Sequence, residues 1–245
     1  MNKICLIIPC YNEENRINLQ TYKQKINITF IFINDGSNDN TYQKIQASFL
    51  GTAHHVLNLE KNVGKAEATR QGMIFAQSLD NFAEFEWLGF WDADLAIPLY
   101  EADNFVLYHD MFYPNFDAVF GSRIKRLGSS TEKKIIRSIL GKIFVSMIRV
   151  LFKTNIYDSQ CGAKLFKASL ANKIFAEPFI SKWLFDIEIL MRLKLGNFKT
   201  VEYPLKEASE ILNNSNVKIL NEMTKVCLDV IKIWQKYRNL PTKKI

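Results

Sequence analysis

The sequence predicts an α/β fold, with a mostly parallel sheet flanked by helices. Short bulky-apolar runs recur at 4–8, 28–33, 54–59, 87–91 and 118–120, which is the signature of buried strands. Segments with helix-like spacing lie between them, near 13–25, 39–49, 64–80 and 99–112. Strict alternation of the two generates right-handed βαβ units. A polar turn also follows each run, and in a parallel sheet the carboxyl ends of the strands share one edge, where ligands bind.

Taken in order, the turns are individually ordinary. The first run, ICLII, opens into Pro9-Cys10-Tyr11-Asn12-Glu13-Glu14, whose acids suit a helix N-terminus. The second, ITFIFI, ends in Asn34-Asp35-Gly36-Ser37, which is turn chemistry, with Ser37 to Asp39 available as a helix cap. The third is followed by Asn62-Val63-Gly64-Lys65 and the fourth, WLGFW, by Asp92-Ala93-Asp94. Gly121-Ser122-Arg123 follows the fifth. Two carboxylates so close repel unless a cation lies between them. An oxygen-seeking Mg²⁺ or Mn²⁺ that also binds a diphosphate would meet that need; an isolated D-x-D is more often an acidic turn after a strand. The first turn is not G-x-G-x-x-G, and no G-x-x-x-x-G-K-[ST] occurs. The absence of both motifs argues against a dinucleotide-binding dehydrogenase and a P-loop NTPase.

With 245 residues, ten Gly, six Pro and no Ser- or Pro-rich run, the chain reads as one compact unit over 1–245. The greasy stretch 135–152 is interrupted by Arg137, Lys142 and Arg149, so it is not a membrane span. The N-terminus lacks a signal peptide's layout. Cys5, Cys10, Cys161 and Cys227 form neither CxxC nor zinc spacing, which predicts reduced thiols in a cytoplasmic protein. The net charge of +7 suits an anionic partner, whether nucleotide, lipid headgroup or nucleic acid, or simply solubility.

The series PCYNEEN, NDGSNDNT, NLEKNVGKAEATRQG, WDADL, FGSR and DSQCGAKLF resembles the family 2 glycosyltransferases of GT-A fold. Among them it is most similar to enzymes that charge a polyprenyl phosphate with glucose or mannose. The resemblance runs in order from about residue 4 to 220. It implies inverting transfer of a hexose from a nucleoside-diphosphate sugar of UDP-glucose or GDP-mannose type, with a divalent metal and without nucleic acid. Residues 1–122 would then serve the nucleotide sugar and 123–245 the acceptor. Pro9, Tyr11 and Glu13 resemble the turn that packs on the nucleoside, and Asp35 the carboxylate that receives an N–H from the base. Lys65 begins the following helix, and Arg70 reads as either a site residue or a solvated helix residue. Asp92 would face the sugar or ribose and Asp94 would hold the metal. Ala96 stands where mannose-type relatives often have Gln, which fits glucose-type kinship.

On the acceptor side, Arg123 and Arg137 resemble the arginines that grip an acceptor phosphate, for which a planar guanidinium is suited. Asp158, Gln160 and Cys161 resemble the turn closing that site. A phosphate monoester is already anionic, so no histidine base is required, and His54, His55 and His109 read as structural. Residues 132–153 form an amphipathic pattern. Ile136, Ile139, Leu140, Ile143, Met147, Val150 and Leu151 make one side; Lys134, Arg137, Lys142, Arg149 and Lys153 make another. The pattern fits a peripheral helix at an anionic membrane, or a core helix with a solvated face. In the W-x-F-D-x-E element, Trp183, Ile187 and Leu190 should pack, Asp186 should face the donor sugar and Glu188 a structural arginine. Lys206 and Lys218 are the basic candidates for closing over the diphosphate. A last helix over 217–237 should bury Leu220, Met223, Cys227, Val230, Ile231 and Trp234. Two other functions share these motifs: transfer to a sugar hydroxyl with Asp186 as base, and nucleotide-sugar binding without turnover.

Overall fold

The computed structural model describes residues 4–124, 130–131, 145–208 and 219–240. Its first half follows the predicted alternation. Strands β1 (Ile4–Cys10), β2 (Ile28–Asp35), β3 (His55–Leu59), β4 (Trp87–Trp91) and β5 (Ala118–Ser122) alternate with helices α1 (Leu19–Lys23), α2 (Thr41–Phe49), α3 (Lys65–Gln77) and α4 (Tyr100–Phe112). The second half adds β6 (Ser130–Thr131), a helical stretch α5 at 145–152, β7 (Ala163–Lys167), α6 (Ala171–Phe175), α7 (Phe185–Leu195), β8 (Thr200–Pro204), β9 (Glu207–Ala208) and α8 (Ile219–Tyr237).

Seven strands form one sheet in the order β3-β2-β1-β4-β7-β5-β8, and β6 pairs with β9 in a small parallel ladder. The pairs β1–β2, β1–β4, β2–β3 and β5–β8 are parallel, whereas β7 runs antiparallel to both β4 and β5. Successive strand residues point to opposite faces, and β1 obeys this strictly. Cys5 and Ile7 join the core under α3, α6, α7 and α8, while Ile4, Leu6 and Ile8 join the core under α1, α2 and α4. Helices on both faces explain why β1, β2 and β4 are continuous apolar runs rather than alternating ones.

Several expectations need correction. The segment expected to be helical over 13–25 is helical only at Leu19–Lys23. The backbone of Glu13 and Glu14 is instead bonded to Thr41 and Asp39, and Asn18 caps the late start. Trp183 does not pack: it is 71% exposed, because α7 begins only at Phe185 and the preceding turn is held by the Ser181 hydroxyl. Ile187 and Leu190 are buried as expected. The buried stripe of α8 is rotated from the expected one. Val230, Ile233 and Tyr237 are buried with Val226 and Trp234 packed beside them, leaving Cys227 and Ile231 exposed. Of the 132–153 pattern, only 145–153 falls within the described residues. There Ile148 and Phe152 are buried, Leu151 packs on the core, and Met147 and Val150 face outward, Val150 at 80% exposure. The remaining positions of that pattern, with Leu220 and Met223 of α8, lie outside the described side chains.

Candidate functional site

The turns after β1 and β2 are laced together. Ser37 Oγ accepts from Asn12 N–H (3.0 Å), Asn12 Oδ1 accepts from Asn38 N–H (2.9 Å), and Thr41 Oγ1 accepts from Glu13 N–H (2.8 Å). This lacing presents Tyr11 to solvent and turns Glu13 inward. Arg16 donates to Glu13 Oε1 at 2.6 Å, while Oε2 is buried with no partner among the described residues. Burial raises the Glu13 pKa above the ordinary value against the opposing pull of Arg16. A buried acceptor without a donor is costly unless a ligand supplies one.

Asp35 is the hub of the next turn. Its Oδ1 accepts from Val63 N–H at 2.7 Å and its Oδ2 from Gly64 N–H at 2.9 Å, stitching the end of β2 to the entry of α3. Gly36 adopts φ +61° directly against the Lys61–Asn62 backbone, where a Cβ would overlap it, so the turn admits no larger residue. Lys65 follows as the first residue of α3 and forms an ion pair with Asp92 Oδ1. Burial pulls the Lys65 pKa down, but Asp92, with Asp186 and Asp94 behind it, outweighs this and leaves it above the ordinary lysine value.

Beyond β4 the chain is sharply bent. Leu95 sits at φ +53°, Trp91 Nε1 donates to the Ile97 carbonyl (2.7 Å) and Tyr22 Oη to the Ala93 carbonyl (3.2 Å). Asp94 Oδ1 accepts from Ala96 N–H at 3.0 Å. The result is one cavity of about 190 Å³ lined by Pro9, Cys10, Tyr11, Glu13, Asp35, Lys65, Asp92, Ala93 and Asp94. All six residues expected to touch the nucleotide sugar, and the expected metal ligand, meet there. A second cavity, about 430 Å³, lies on the far side of Asp94 between α1 and the 95–100 turn.

A divalent cation suits this donor set. Asp94 offers hard carboxylate oxygen, Ala96 offers no side-chain ligand, and among the described residues no group of three or more His, Cys, Asp or Glu encloses an ion. One or two carboxylates completed by a substrate's phosphates is a binding mode that Mg²⁺ commonly takes.

Other expected residues lie elsewhere. Arg70 is structural: its fork holds Glu67 and the Ala176 carbonyl. Asp186 does not line the cavity. It is buried, and Lys164 Nζ binds its Oδ1 at 2.6 Å. Burial raises the Asp186 pKa, with Lys164 and Lys65 opposing. Glu188 meets its arginine, Arg192 at 4.0 Å, and also accepts from the Ile180 and Ser181 N–H groups. Lys164 went unpredicted. Its signal in the sequence was a lysine inside the apolar run AKLF, which becomes a fully buried strand residue over the Phe90 and Phe120 rings.

On the acceptor side, Arg123 is already engaged: its Nε and Nη2 bind the two Asp158 oxygens, each at 2.8 Å. The fork expected to grip phosphate is thus largely committed to Asp158. Nearby, Gln160 Nε2 is buried without a partner among the described residues. Arg137 and Lys218 lie outside the described residues. Burial pushes the Cys161 thiol up to about 12, so it stays protonated. His54 lies tilted against the Phe30 ring and edge-on to Phe49, His55 meets the Phe75 ring edge, and His109 bonds the Phe116 carbonyl, all structural contacts.

The Arg123–Asp158 pair carries a pH signature. Burial alone would raise the Asp158 pKa, but Arg123 holds it below the ordinary value. An unfolded aspartate titrates near pH 4 (about 3.9). The pair's stabilisation is therefore complete above about pH 4 and is lost as pH falls through the depressed native value. The stability gap between wild type and Asp158→Asn should be constant near neutral pH and close below about pH 4. Urea unfolding at stepped pH checks this; a gap that persists in acid refutes it.

Comparison with known proteins follows the same lines. The model of the family described as Glycosyl transferase family 2 matches residues 5–175. A dolichyl-phosphate beta-glucosyltransferase of Trichomonas vaginalis is 28% identical over 243 residues, covering 93% of this chain and 69% of that protein. The dolichyl-phosphate beta-glucosyltransferase of Dictyostelium discoideum is 26% identical over 253 residues, covering 96% and 74%. Among solved structures, glucosyl-3-phosphoglycerate synthase from Mycobacterium tuberculosis with UDP superposes at a TM-score of 0.65 with 17% identity, covering 96% of this chain and 80% of that one. A complex of that synthase with Mn²⁺, UDP-glucose and phosphoglyceric acid gives a TM-score of 0.65 at 16% identity, with the same coverage. These structures share the GT-A fold with the chain.

Proposed function

This chain belongs to glycosyl transferase family 2, and we propose that within it the protein moves glucose from a nucleoside-diphosphate sugar to a polyprenyl phosphate, inverting the anomeric carbon. The observation that carries the donor half is the single cavity joining Asp35, Lys65, Asp92 and Asp94. Tyr11 and Pro9 wall the nucleoside, and Asp35 and the unpartnered Glu13 Oε2 accept from base or ribose. Asp92, steadied by Lys65, faces the sugar. Asp94 holds a divalent cation, which when bound neutralises the charge that builds on the leaving diphosphate.

The acceptor half rests on the relatives named above, both dolichyl-phosphate glucosyltransferases. A phosphate monoester needs no strong base to attack, since it is already ionised near neutral pH. Transfer to a sugar hydroxyl would need one, and Asp186, the residue suited by sequence, is locked to Lys164. Residues 1–122 then serve the donor and 123–245 the acceptor, with Gln160 and the Asp158-held Arg123 facing the phosphate alongside Arg137 and Lys218. No helix among the described residues is long and apolar enough to cross a membrane. Contact with a lipid-borne acceptor would be peripheral, on the cytoplasmic face, and the outward Met147 and Val150 of α5 support this.

The test is transfer of labelled sugar from UDP-glucose, and separately from GDP-mannose, to polyprenyl phosphate in anionic vesicles, with flotation of the protein followed in parallel. Label should enter the lipid from one donor, and the protein should float at low salt and be released at high salt. Label entering only free oligosaccharide, with no lipid product, would replace the lipid acceptor by a hydroxyl one.

A further inference from the structure

The motif DSQCGAKLF reaches the site in a way the proposed chemistry has not used. Because β7 runs antiparallel to β4, with Trp91 opposite Ala163, its first residues lie at the same sheet edge as the end of β4. Gly162 is thereby brought against Asp92. Asp92 N–H donates to the Gly162 carbonyl at 3.1 Å. A Cβ built on Gly162 would overlap the Asp92 carboxylate, both oxygens included.

The segment holding Gly162 is itself fixed from three sides. Cys161 N–H donates to the Asp158 carbonyl at 3.3 Å, and Lys164 Nζ donates to the Cys161 carbonyl at 2.5 Å. The third tie is the bond from Asp92 just described. Lys164 has no exposed surface, and its ammonium also binds Asp186, so its position is over-determined by packing and charge. On its other side Asp92 is held by Lys65. The carboxylate thus stands between an ammonium and a bare Cα.

We propose that Gly162 is a positioning residue: its missing side chain forms the wall that keeps the Asp92 carboxylate on Lys65 and in the cavity, and Lys164 anchors that wall through the Cys161 carbonyl. Its consequence for turnover rests on the donor-site reading above; the steric coupling of the two residues does not. A side chain at 162 forces the carboxylate aside, and a misplacement of about 1 Å in a reacting constellation can cost on the order of a hundredfold in rate.

The experiment is a double-mutant cycle of Gly162→Ala and Asp92→Ala, read by thermal unfolding, by transfer rate and by calorimetric affinity for UDP. Gly162→Ala should lower the melting temperature and cut transfer about a hundredfold, while UDP affinity changes less than about threefold, because the nucleoside wall is untouched. In the double variant the carboxylate is gone and the overlap with it. Its melting temperature should return to that of Asp92→Ala, and its transfer rate should equal that of Asp92→Ala. Independent sites would instead add. Additive losses in stability overturn the proposal, even if Gly162→Ala alone folds poorly. Were the wild type to transfer no sugar at all while the stability cycle stayed coupled, the donor reading would fall and the Gly162 wall would stand.

Discussion

Asp94→Asn is expected to lower sugar transfer by about three orders of magnitude and to make nucleoside-diphosphate binding indifferent to Mg²⁺ or Mn²⁺. Of the two D-x-D carboxylates, Asp92 is neutralised by Lys65, so a cation has only Asp94 left to hold it. Asparagine keeps the oxygen that accepts from Ala96 N–H, so the bend after β4 should survive. What disappears is the charge. Lewis-acid stabilisation of a leaving diphosphate is worth several kcal/mol, and about 4 kcal/mol corresponds to roughly a thousandfold in rate. Titration calorimetry of UDP with and without EDTA gives the answer. If the wild type binds equally well in EDTA, the metal role of Asp94 is lost.

The second large effect is expected at Asp35, and it should show first as stability. Asp35→Ala removes the acceptor from two backbone N–H groups, those of Val63 and Gly64. Each of these part-buried donors left unpaired costs about 1–3 kcal/mol. A combined loss of about 2–6 kcal/mol lowers the melting temperature by roughly 4–24 °C in a chain of this size. Lys65 follows Gly64 directly, so the loosened turn should also weaken UDP binding about tenfold or more. Asp35→Asn, which keeps one acceptor oxygen, should fall between. A melting temperature within about 2 °C of wild type in Asp35→Ala would show that the turn is held by something else.

The donor edge was legible because its residues sit where apolar runs stop. Asp35, Lys65, Asp92 and Asp94 each lie within a few residues of a strand end, and a parallel sheet brings such ends together regardless of helix details. The geometry of single turns was not legible. Nothing in PCYNEEN announces that Glu13 and Glu14 will bond across to Thr41 and Asp39, which consumes the first turn of the expected helix. Strand direction was likewise hidden: AKLFK has the same periodicity whichever way it runs, so the reversal of β7 appears only in the fold. Two acidic residues of the second half show how long-range ion pairs escape a reading of local pattern. Asp186 reads as a group facing the donor sugar and Asp158 as part of the turn closing the acceptor site, but each has a cation close in space and distant in sequence, Lys164 and Arg123. Helical spacing also misplaced the stripe on α8 by about one position, since Cys227 and Ile231 are apolar enough to sit on either side.

The reversed strand also sets the order in which the molecule can be assembled. Among the described residues, β5 and β8 reach β1–β4 through β7 alone. On a ribosome, β1 to β4 can pair as soon as residue 91 has emerged, but β5, although synthesised next, has no neighbour in that sheet. It must wait for residues 163–167. Until then the outer edge of β4, whose five residues are all buried in the finished protein, carries unpaired backbone groups. An open apolar strand edge is a template for pairing with another chain, and incompletely folded species of this kind are prone to aggregate. Nascent chains halted between 91 and 167 are thus exposed to such pairing, and the arrival of one five-residue strand ends that exposure.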